Sequence, residues 1–297
     1  MISELLAEEL KICPPLITDN LEIAVPNYFL GKWLSEQITI KNKISALYEF
    51  KTISSYTESL LTNFFPKIDM GLWNFESIKW GIIDSLEELN SFKESFALKH
   101  WINKYLDNEK TIDGDLYNLT KKIANNFIDY LIFRPEMISQ WNRYEINSQN
   151  LFKNLNPDQF WQPILYKLLE KKISEKPSCL YMIKLINNLR KVKKLQIKIP
   201  KQIYIFSDNN LSKLHINFYS ELSKFTKVNL YLLSAGDDFW NRINSLEGEL
   251  EFGNFESKLN FKNTNIEEIF GKFGANFQKL IEENINKEGT NLKNNLD

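Results

Sequence analysis

The glycine–lysine pairs are the residues of this chain that come closest, in type and spacing, to phosphate chemistry. A phosphate loop needs glycines whose N–H groups close on phosphate oxygens, a lysine for the β- and γ-phosphates, and a hydroxyl side chain for Mg²⁺. Here Gly31-Lys32 is followed by Trp33, Gly271-Lys272 is followed by Phe273, and no glycine precedes Gly31. The pattern predicts a phosphate-loop position that has lost its chemistry.

The second motif that ATP hydrolysis requires is also incomplete. An ATPase ends an apolar strand in acidic residues that hold Mg²⁺ and activate water. Residues 203–206 read as such a strand, but they lead into Ser207-Asp208-Asn209-Asn210, where Asp208 is offset and no Glu follows. We interpret Asp208 as a turn residue or as the N-cap of a helix that starts near Leu211.

Metal and nucleophile chemistry find no better support. His100 and His215 are far apart and are predicted to be surface or core residues, while Cys13 and Cys179 form neither a disulfide framework nor a CxxC zinc motif. No GxSxG motif is present. We predict no catalytic residue and no metal site. The paired carboxylates are interpreted as solvated helix faces: Glu8-Glu9, Glu87-Glu88 and Glu282-Glu283.

Composition limits the possible partners. With 37 Lys+Arg against 38 Asp+Glu, the chain has no basic excess, so any contact with nucleic acid must come from a local groove. At 297 residues and 43% hydrophobic, it is long enough to bury at least one full core. No apolar run approaches the roughly 18–20 residues of a spanning helix, and no signal pattern opens the chain. We therefore expect no membrane partner and a cytoplasmic location.

The elements that would position these residues alternate between strand and helix at both ends of the chain. Apolar runs predict four strands, and the pattern strand, helix, strand favours a parallel sheet with right-handed crossovers. The predicted strands are 21–25, 44–50, 202–206 and 228–233, and the predicted helices beside them are 29–38 and 211–225. A last amphipathic helix is predicted at 266–285, followed by a polar tail.

The middle of the chain reads differently. From residue 53 to 195, apolar residues recur at three- and four-residue spacing, as in the stripe Leu119, Ile123, Ala124, Phe127, Ile128 and Leu131. This region predicts six or seven helices. We therefore expect an α/β domain formed by residues 1–52 and 196–297, and an all-helical domain at 53–195.

Two features suit nucleic acid. The basic stretch Arg190 to Lys194 contains Lys191, Lys193 and Lys194, although coding bias and a solvated helix end explain it better than DNA does. The other feature is the set of loops after the strands, 26–28, 51–52 and 207–210, where ligands of open α/β sheets bind. Their aromatic and uncharged polar residues suit stacking on bases, although ordinary caps and turns explain them at least as well.

Several segments, in order along nearly the whole chain, resemble the N-terminal part of the RecC family, the gamma subunits of exodeoxyribonuclease V (the RecBCD helicase–nuclease). Tyr130 to Pro135 with Gln140-Trp141 resembles a family segment in which Tyr-Leu, an aromatic residue, Arg-Pro and Gln-Trp recur at the same spacing. Further matching segments include Val25 with Trp33-Leu34, Phe50 with Ser54-Ser55, residues 160–165, the strands at Ile203 and 230–233, Trp240 and residues 270–274.

This resemblance implies a RecA-like fold, that is, a P-loop NTPase-like and superfamily-1 helicase-like parallel sheet interrupted by a large all-helical insertion. It implies a non-catalytic scaffold and single-strand DNA channel in double-strand-break repair and homologous recombination, without a cofactor. The implied partners are a RecB-like ATPase–nuclease subunit, a RecD-like motor subunit, and single-stranded and forked DNA.

The resemblance and the residue patterns together give the candidate DNA-binding set. By the resemblance, Pro26, Tyr28, Thr52, Glu58, Asn125 and Asn126 would line the strand channel, where Glu58 would repel phosphate. The guanidinium of Arg134 either binds carbonyls of a helix end or contacts a phosphate or partner. The predicted set is Asn27, Tyr28, Thr52, Asn125, Asn126, Arg134, Lys191, Lys193 and Lys194.

Two alternatives and one departure remain. Family chains begin with one more strand and loop and continue far beyond residue 297, so this chain is expected to be a fragment whose sheet lacks a strand. Instead of a channel subunit, the protein could be a nucleotide-dependent enzyme with an atypical phosphate site. It could also be a protein-interaction module without DNA contact.

Overall fold

The computed structural model describes residues 2–12, 21–43, 48–207 and 211–232. The chain divides into two compact units: residues 1–56 with 199–297, called the sheet unit, and residues 57–198, called the helical unit. The predictions for Asp208, for the helix at 266–285 and for the polar tail lie outside the described residues.

Four parallel strands form the sheet, as the apolar runs predict. They are β1 (Leu21–Val25), β2 (Tyr48–Thr52), β3 (Gln202–Ser207) and β4 (Lys227–Leu232), in the spatial order β2-β1-β3-β4. The helices of this unit are α1 (Ile2–Ile12), α2 (Tyr28–Asn42) and α10 (Lys213–Leu222), and α3 (Ile53–Phe64) begins in it. Strands β1 and β3 are adjacent although about 175 residues separate them along the chain, so the sheet is assembled from both ends of the sequence.

The core of the sheet unit joins α1 and α2 to one face of the sheet. Its fully buried members come from helix positions spaced for one face and from alternate strand positions. They are Leu6, Ala7, Leu10, Ile23, Val25, Leu34, Ile38, Tyr204 and Phe206. Ala24, Ile203 and Ile205 point to the opposite face and are equally buried, as expected for a parallel sheet.

The helical unit contains seven α-helices including the continuation of α3, all within the described stretch 48–207. The others are α4 (Phe75–Asn90), α5 (Lys99–Asp107), α6 (Gly114–Phe133), α7 (Pro135–Arg143), α8 (Trp161–Ile173) and α9 (Ser178–Leu189). The predicted α6 stripe is confirmed, since Ile123, Ala124 and Phe127 are buried. The prediction of six or seven helices is likewise confirmed.

Aromatic side chains hold the middle of the helical unit together. The Trp141 ring lies 6.4 Å from Phe127, 6.1 Å from Tyr130 and 5.9 Å from Tyr166. Two of these residues, Tyr130 and Trp141, belong to the segment that carries the family resemblance. The family resemblance in this segment therefore reflects core packing, which fixes the corner between α6 and α7.

Three sequence predictions need correction. Lys51 and Thr52 were expected in a loop, but the β1–β2 ladder continues to the pair Val25↔Thr52, so both lie in β2. Helix α10 is shorter than predicted, because Ser212 caps its first turn and the chain leaves the helix after Leu222. Glu9 is not a freely solvated residue, because it accepts hydrogen bonds from Tyr231 Oη at 2.6 Å and Lys227 Nζ at 2.5 Å.

Candidate nucleic-acid interface at the carboxyl edge of the sheet

Asn27 forms the turn between β1 and α2. Its backbone is extended (φ −154°, ψ 165°), and its side-chain Oδ1 accepts a hydrogen bond from Leu30 N at 2.9 Å. Its carbonyl accepts from Gly31 N at 3.2 Å. The Asn27 side chain thus occupies a backbone donor at the start of the helix, which is where a phosphate would bind in a nucleotide site.

Gly31 has a packing role. A Cβ at this position would lie 3.0 Å from Phe50 Cβ and 3.3 Å from Val25 Cγ2. The missing side chain lets α2 approach β1 and β2 closely, which explains a glycine here without any ligand. The adjacent Lys32 and Trp33 are both on the exposed side of α2.

Tyr28 and Phe29 expose most of their surface at the start of α2. Tyr28 is 74% exposed and Phe29 is 82% exposed, and their ring centroids are 6.1 Å apart in an edge-to-face arrangement. Aromatic rings that remain this exposed offer stacking surfaces, for example to nucleobases. Sequence reasoning selected Tyr28 and missed Phe29. Phe29 could have been selected as well, because it is an aromatic residue that does not belong to the buried stripe of α2 formed by Gly31, Leu34 and Ile38.

Thr52 belongs to the same edge of the sheet as this turn. It pairs in register with Val25, the residue that precedes Pro26, and its Oγ1 accepts a hydrogen bond from Ser55 N at 3.3 Å. Thr52 is exposed and is the last residue of β2. The structure therefore brings Asn27, Tyr28 and Thr52 together at the carboxyl edge, where ligands of parallel sheets bind.

The predicted residues of the helical unit form two further groups. Asn125 and Asn126 are exposed on α6. Arg134 follows that helix, where its N–H donates to Tyr130 O at 2.9 Å and its carbonyl accepts from Met137 N at 3.1 Å. Among the described residues, the Arg134 guanidinium makes no hydrogen bond or ion pair, so the alternative in which it binds helix-end carbonyls is wrong there.

The basic stretch follows α9. Lys191, Lys193 and Lys194 are exposed in the connection between α9 and β3. None of the three ammonium groups has an ion-pair partner within the described part of the chain. Their charge is therefore available to an anionic ligand.

Glu58, a position expected to line the channel, has an altered acidity. Burial raises the pKa of its carboxyl to about 7, a hydrogen bond from Ser178 Oγ at 3.3 Å opposes this, and the nearby Asp69 charge adds to it. Near neutral pH the carboxyl is therefore protonated in a large fraction of molecules. The expected repulsion of phosphate is correspondingly weakened.

The prediction that the two histidines are surface or core residues is confirmed. His100 is exposed, and His215 is buried with Nδ1 2.7 Å from Ser212 Oγ; burial lowers the pKa of His215 to about 4. Burial raises the pKa of the Cys179 thiol to about 12, which disfavours the thiolate form. Across the described ranges, His, Cys, Asp and Glu form no cluster able to hold a metal ion.

None of the helices in residues 2–12, 21–43, 48–207 and 211–232 is both long and apolar enough to span a membrane.

These features define an α/β protein. It has a parallel sheet with polar and aromatic residues at the carboxyl edge, and it also contains a helical unit. A family model described as "RecC, N-terminal domain" matches residues 1–296. The chain belongs to this RecC N-terminal domain family.

Curated relatives agree with the family match. The chain is 23% identical over 228 residues to the RecBCD enzyme subunit RecC of Escherichia coli (strain K12), covering 74% of this chain and 19% of that protein. It is 24% identical over 265 residues to RecC of Haemophilus influenzae, covering 82% and 23%. RecC of Buchnera aphidicola subsp. Acyrthosiphon pisum is 24% identical over 254 residues, covering 83% and 22%. The chain thus spans about a fifth of the length of these relatives.

Proposed function

We propose that this chain is part of a non-catalytic subunit of a RecBCD-type exodeoxyribonuclease V, in which it serves as a helicase-like scaffold and as one wall of a single-strand DNA channel. In this proposal the sheet unit is a RecA-like domain without ATPase chemistry. Residues 53–195 are a helical insertion in that domain. The complex acts in double-strand-break repair and homologous recombination.

The observation that carries the proposal is the state of the turn at Asn27. In a nucleotide site this turn would carry glycines and present free N–H groups to phosphate. In this chain, Asn27 Oδ1 accepts from Leu30 N, and the exposed rings of Tyr28 and Phe29 follow directly. The position thus offers stacking surfaces in place of phosphate donors, which suits the bases of a passing strand.

The other candidate residues lie in the helical unit, and we propose that they also contact single-stranded DNA. Exposed Asn125 and Asn126 supply amides for hydrogen bonds to bases, and Arg134 supplies an unpaired guanidinium for phosphate. Lys191, Lys193 and Lys194 add positive charge. Because a channel wall of this kind needs loose, repeated contacts, many weak sites serve it better than a single tight one.

The partners follow from the family. RecC relatives are named as subunits of the RecBCD enzyme, and we propose that this chain assembles with a RecB-like ATPase–nuclease subunit and a RecD-like motor subunit. The substrate of the assembly is forked DNA with single-stranded tails, and the complex works in the cytoplasm. This chain itself uses no cofactor.

The test uses the complex purified from source cells that carry substitutions in this chain. Tyr28→Ala with Phe29→Ala removes both exposed rings, and Ile40→Ala is the matched control, since Ile40 is 67% exposed on the same helix. We expect the double variant to bind a single-stranded tail at least about five-fold more weakly, since stacking on an aromatic ring contributes about 1–3 kcal/mol per base. Equal binding by the double variant and the control would contradict the proposal.

A further inference from the structure

We propose that the exposed side of α6, together with Trp80 of α4, is a second contact site for single-stranded nucleic acid. This inference rests on the proposed function and deepens it. Bases would stack on Trp80 and Tyr117, while Lys121 and Lys122 would bind the phosphates.

The first observation is a repeat on α6. Two rows of side chains run along its exposed side with a four-residue period, which places the members of each row above one another. One row is Tyr117, Lys121 and Asn125, and the other is Asn118, Lys122 and Asn126. Each row therefore carries a lysine and includes one of the asparagines already proposed to contact the strand, and one turn further on the first row reaches the exposed Asp129.

The second observation concerns the rings at the start of these rows. Lys79 is only 5% exposed, and its Nζ lies 5.0 Å from the centroid of the Trp80 ring and 5.4 Å from that of Tyr117. Because Trp80 is on α4 and Tyr117 is on α6, the buried ammonium fixes two rings from different helices. Trp80 nevertheless remains 48% exposed and Tyr117 36% exposed, so the rings are held in place and still accessible.

Charge favours an anionic ligand. The charge of Lys79 is satisfied by Glu76, whose Oε2 lies 2.6 Å from Nζ. Lys121 is 5.7 Å from the Tyr117 centroid, and within the described residues neither Lys121 nor Lys122 has a carboxylate at ion-pair distance. Two unpaired ammonium groups thus lie one turn of helix from a held aromatic ring.

The repeat fits a nucleic-acid strand better than a protein partner. The six residues of the two rows include no aliphatic side chain, so they offer little to an apolar partner surface. Each row spans nine residues, or about 12 Å of helix axis, which corresponds to about three to four nucleotides at about 3.4 Å per nucleotide. Rings, ammonium groups and amides in that order provide stacking, phosphate binding and base contacts.

The test again uses the complex from source cells, with a 5-iodouracil-labelled single strand as the probe. Lys121→Glu with Lys122→Glu reverses two charges on α6, and Lys153→Glu with Lys172→Glu reverses two exposed charges elsewhere in the helical unit. We expect the α6 variant to bind about ten-fold more weakly. The slope of log K against log salt concentration should also fall by about one unit, since each phosphate contact to a single strand contributes about 0.7 to that slope. The control should bind like the unaltered complex.

Trp80 gives an independent readout. Light-induced cross-links from 5-iodouracil should reach Trp80 or Tyr117, and Trp80→Ala should weaken binding at least about five-fold while Trp80→Phe retains most of it. Equal binding by the α6 variant and its control, with no cross-link in residues 75–126, would overturn this inference. If the Tyr28/Phe29 variant still weakens binding, only the second contact site fails; if that variant also binds normally, the proposed function fails with it.

Discussion

Asn27 Oδ1 accepts a hydrogen bond from Leu30 N at 2.9 Å, so a side chain of the turn satisfies an amide that a nucleotide-binding turn would offer to phosphate. This contact fixes the entry into α2. It also leaves Tyr28 and Phe29 on the outside of the first helical turn, where they are largely exposed.

The Asn27 cap can be tested by substitution. Asn27→Ala should lower the stability of the first turn of α2 by about 1 kcal/mol, because Leu30 N loses its partner. Asn27→Asp should retain the cap, since a carboxylate oxygen accepts the same hydrogen bond. Hydrogen exchange at the Leu30 amide should be several-fold faster in the Ala variant only, and equal exchange in both variants would show that the cap contributes nothing.

Gly31 distinguishes packing from ligand binding. Gly31→Ala should lower the free energy of unfolding by about 1–3 kcal/mol, because the new methyl group would press on Phe50 and Val25. Gly114→Ala is the control, since a Cβ there meets nothing within 4 Å, and it should be neutral or slightly stabilising. Thermal unfolding of both variants measures the difference, and a neutral Gly31→Ala would contradict the close helix–sheet approach.

Glu58 makes the stability of the protein depend on pH. Its pKa is about 7 in the folded protein, chiefly because of burial, against an ordinary value of 4.5. Between these values the folded protein holds a proton that the unfolded chain releases, so stability falls as the pH rises from about 4.5 to 7. Glu58→Gln should therefore raise the melting temperature at pH 8 and leave it unchanged near pH 4.5.

The control for this experiment is Glu145→Gln, which alters an exposed carboxylate of the same unit. It should change the melting temperature little at either pH. If Glu58→Gln changed the melting temperature at pH 8 as little as Glu145→Gln does, the Glu58 charge would not destabilise the folded protein. That result would contradict the raised pKa.

Lys191, Lys193 and Lys194 provide a test that separates DNA contact from protein contact alone. Reversing all three to Glu should weaken single-strand binding by the complex. It should also lower the salt dependence of binding by about two units, because each phosphate contact contributes about 0.7 to the slope of log K against log salt concentration. Reversal of the exposed Lys67, Lys153 and Lys172 is the matched control. If the 191–194 variant binds like the control while assembly with the partners is impaired, the interaction-module alternative gains support.

Local patterns predicted much of the fold. The alternation and apolar character of residues 21–25 and 202–206 predicted β1 and β3, and the periodicity of residues 119–131 predicted the buried face of α6. Those patterns depend on neighbours along the chain. The end of β2 could not be predicted in this way, because the pairing of Thr52 with Val25 depends on a neighbouring strand.

The candidate site was predictable only in part. A short sequence after a strand identified Asn27 and Tyr28, since parallel strands place their carboxyl ends at one edge. Phe29 and Trp80 were missed because exposure of an aromatic ring depends on which helix face the rest of the chain covers. The raised pKa of Glu58 also depends on tertiary packing, because burial raises it against the opposing hydrogen bond from Ser178 of α9.

The proposed place of this chain in a non-catalytic subunit of a RecBCD-type complex can be tested in its source cells. The most direct test is to precipitate the native protein from its source cells with an antibody to this chain, identify the associated proteins and measure their DNA-dependent ATPase activity. We predict a RecB-like ATPase–nuclease subunit, a RecD-like motor subunit and ATPase activity that Lys32→Ala leaves unchanged. Recovery of the protein without such partners, or loss of ATPase activity in Lys32→Ala, would contradict the account.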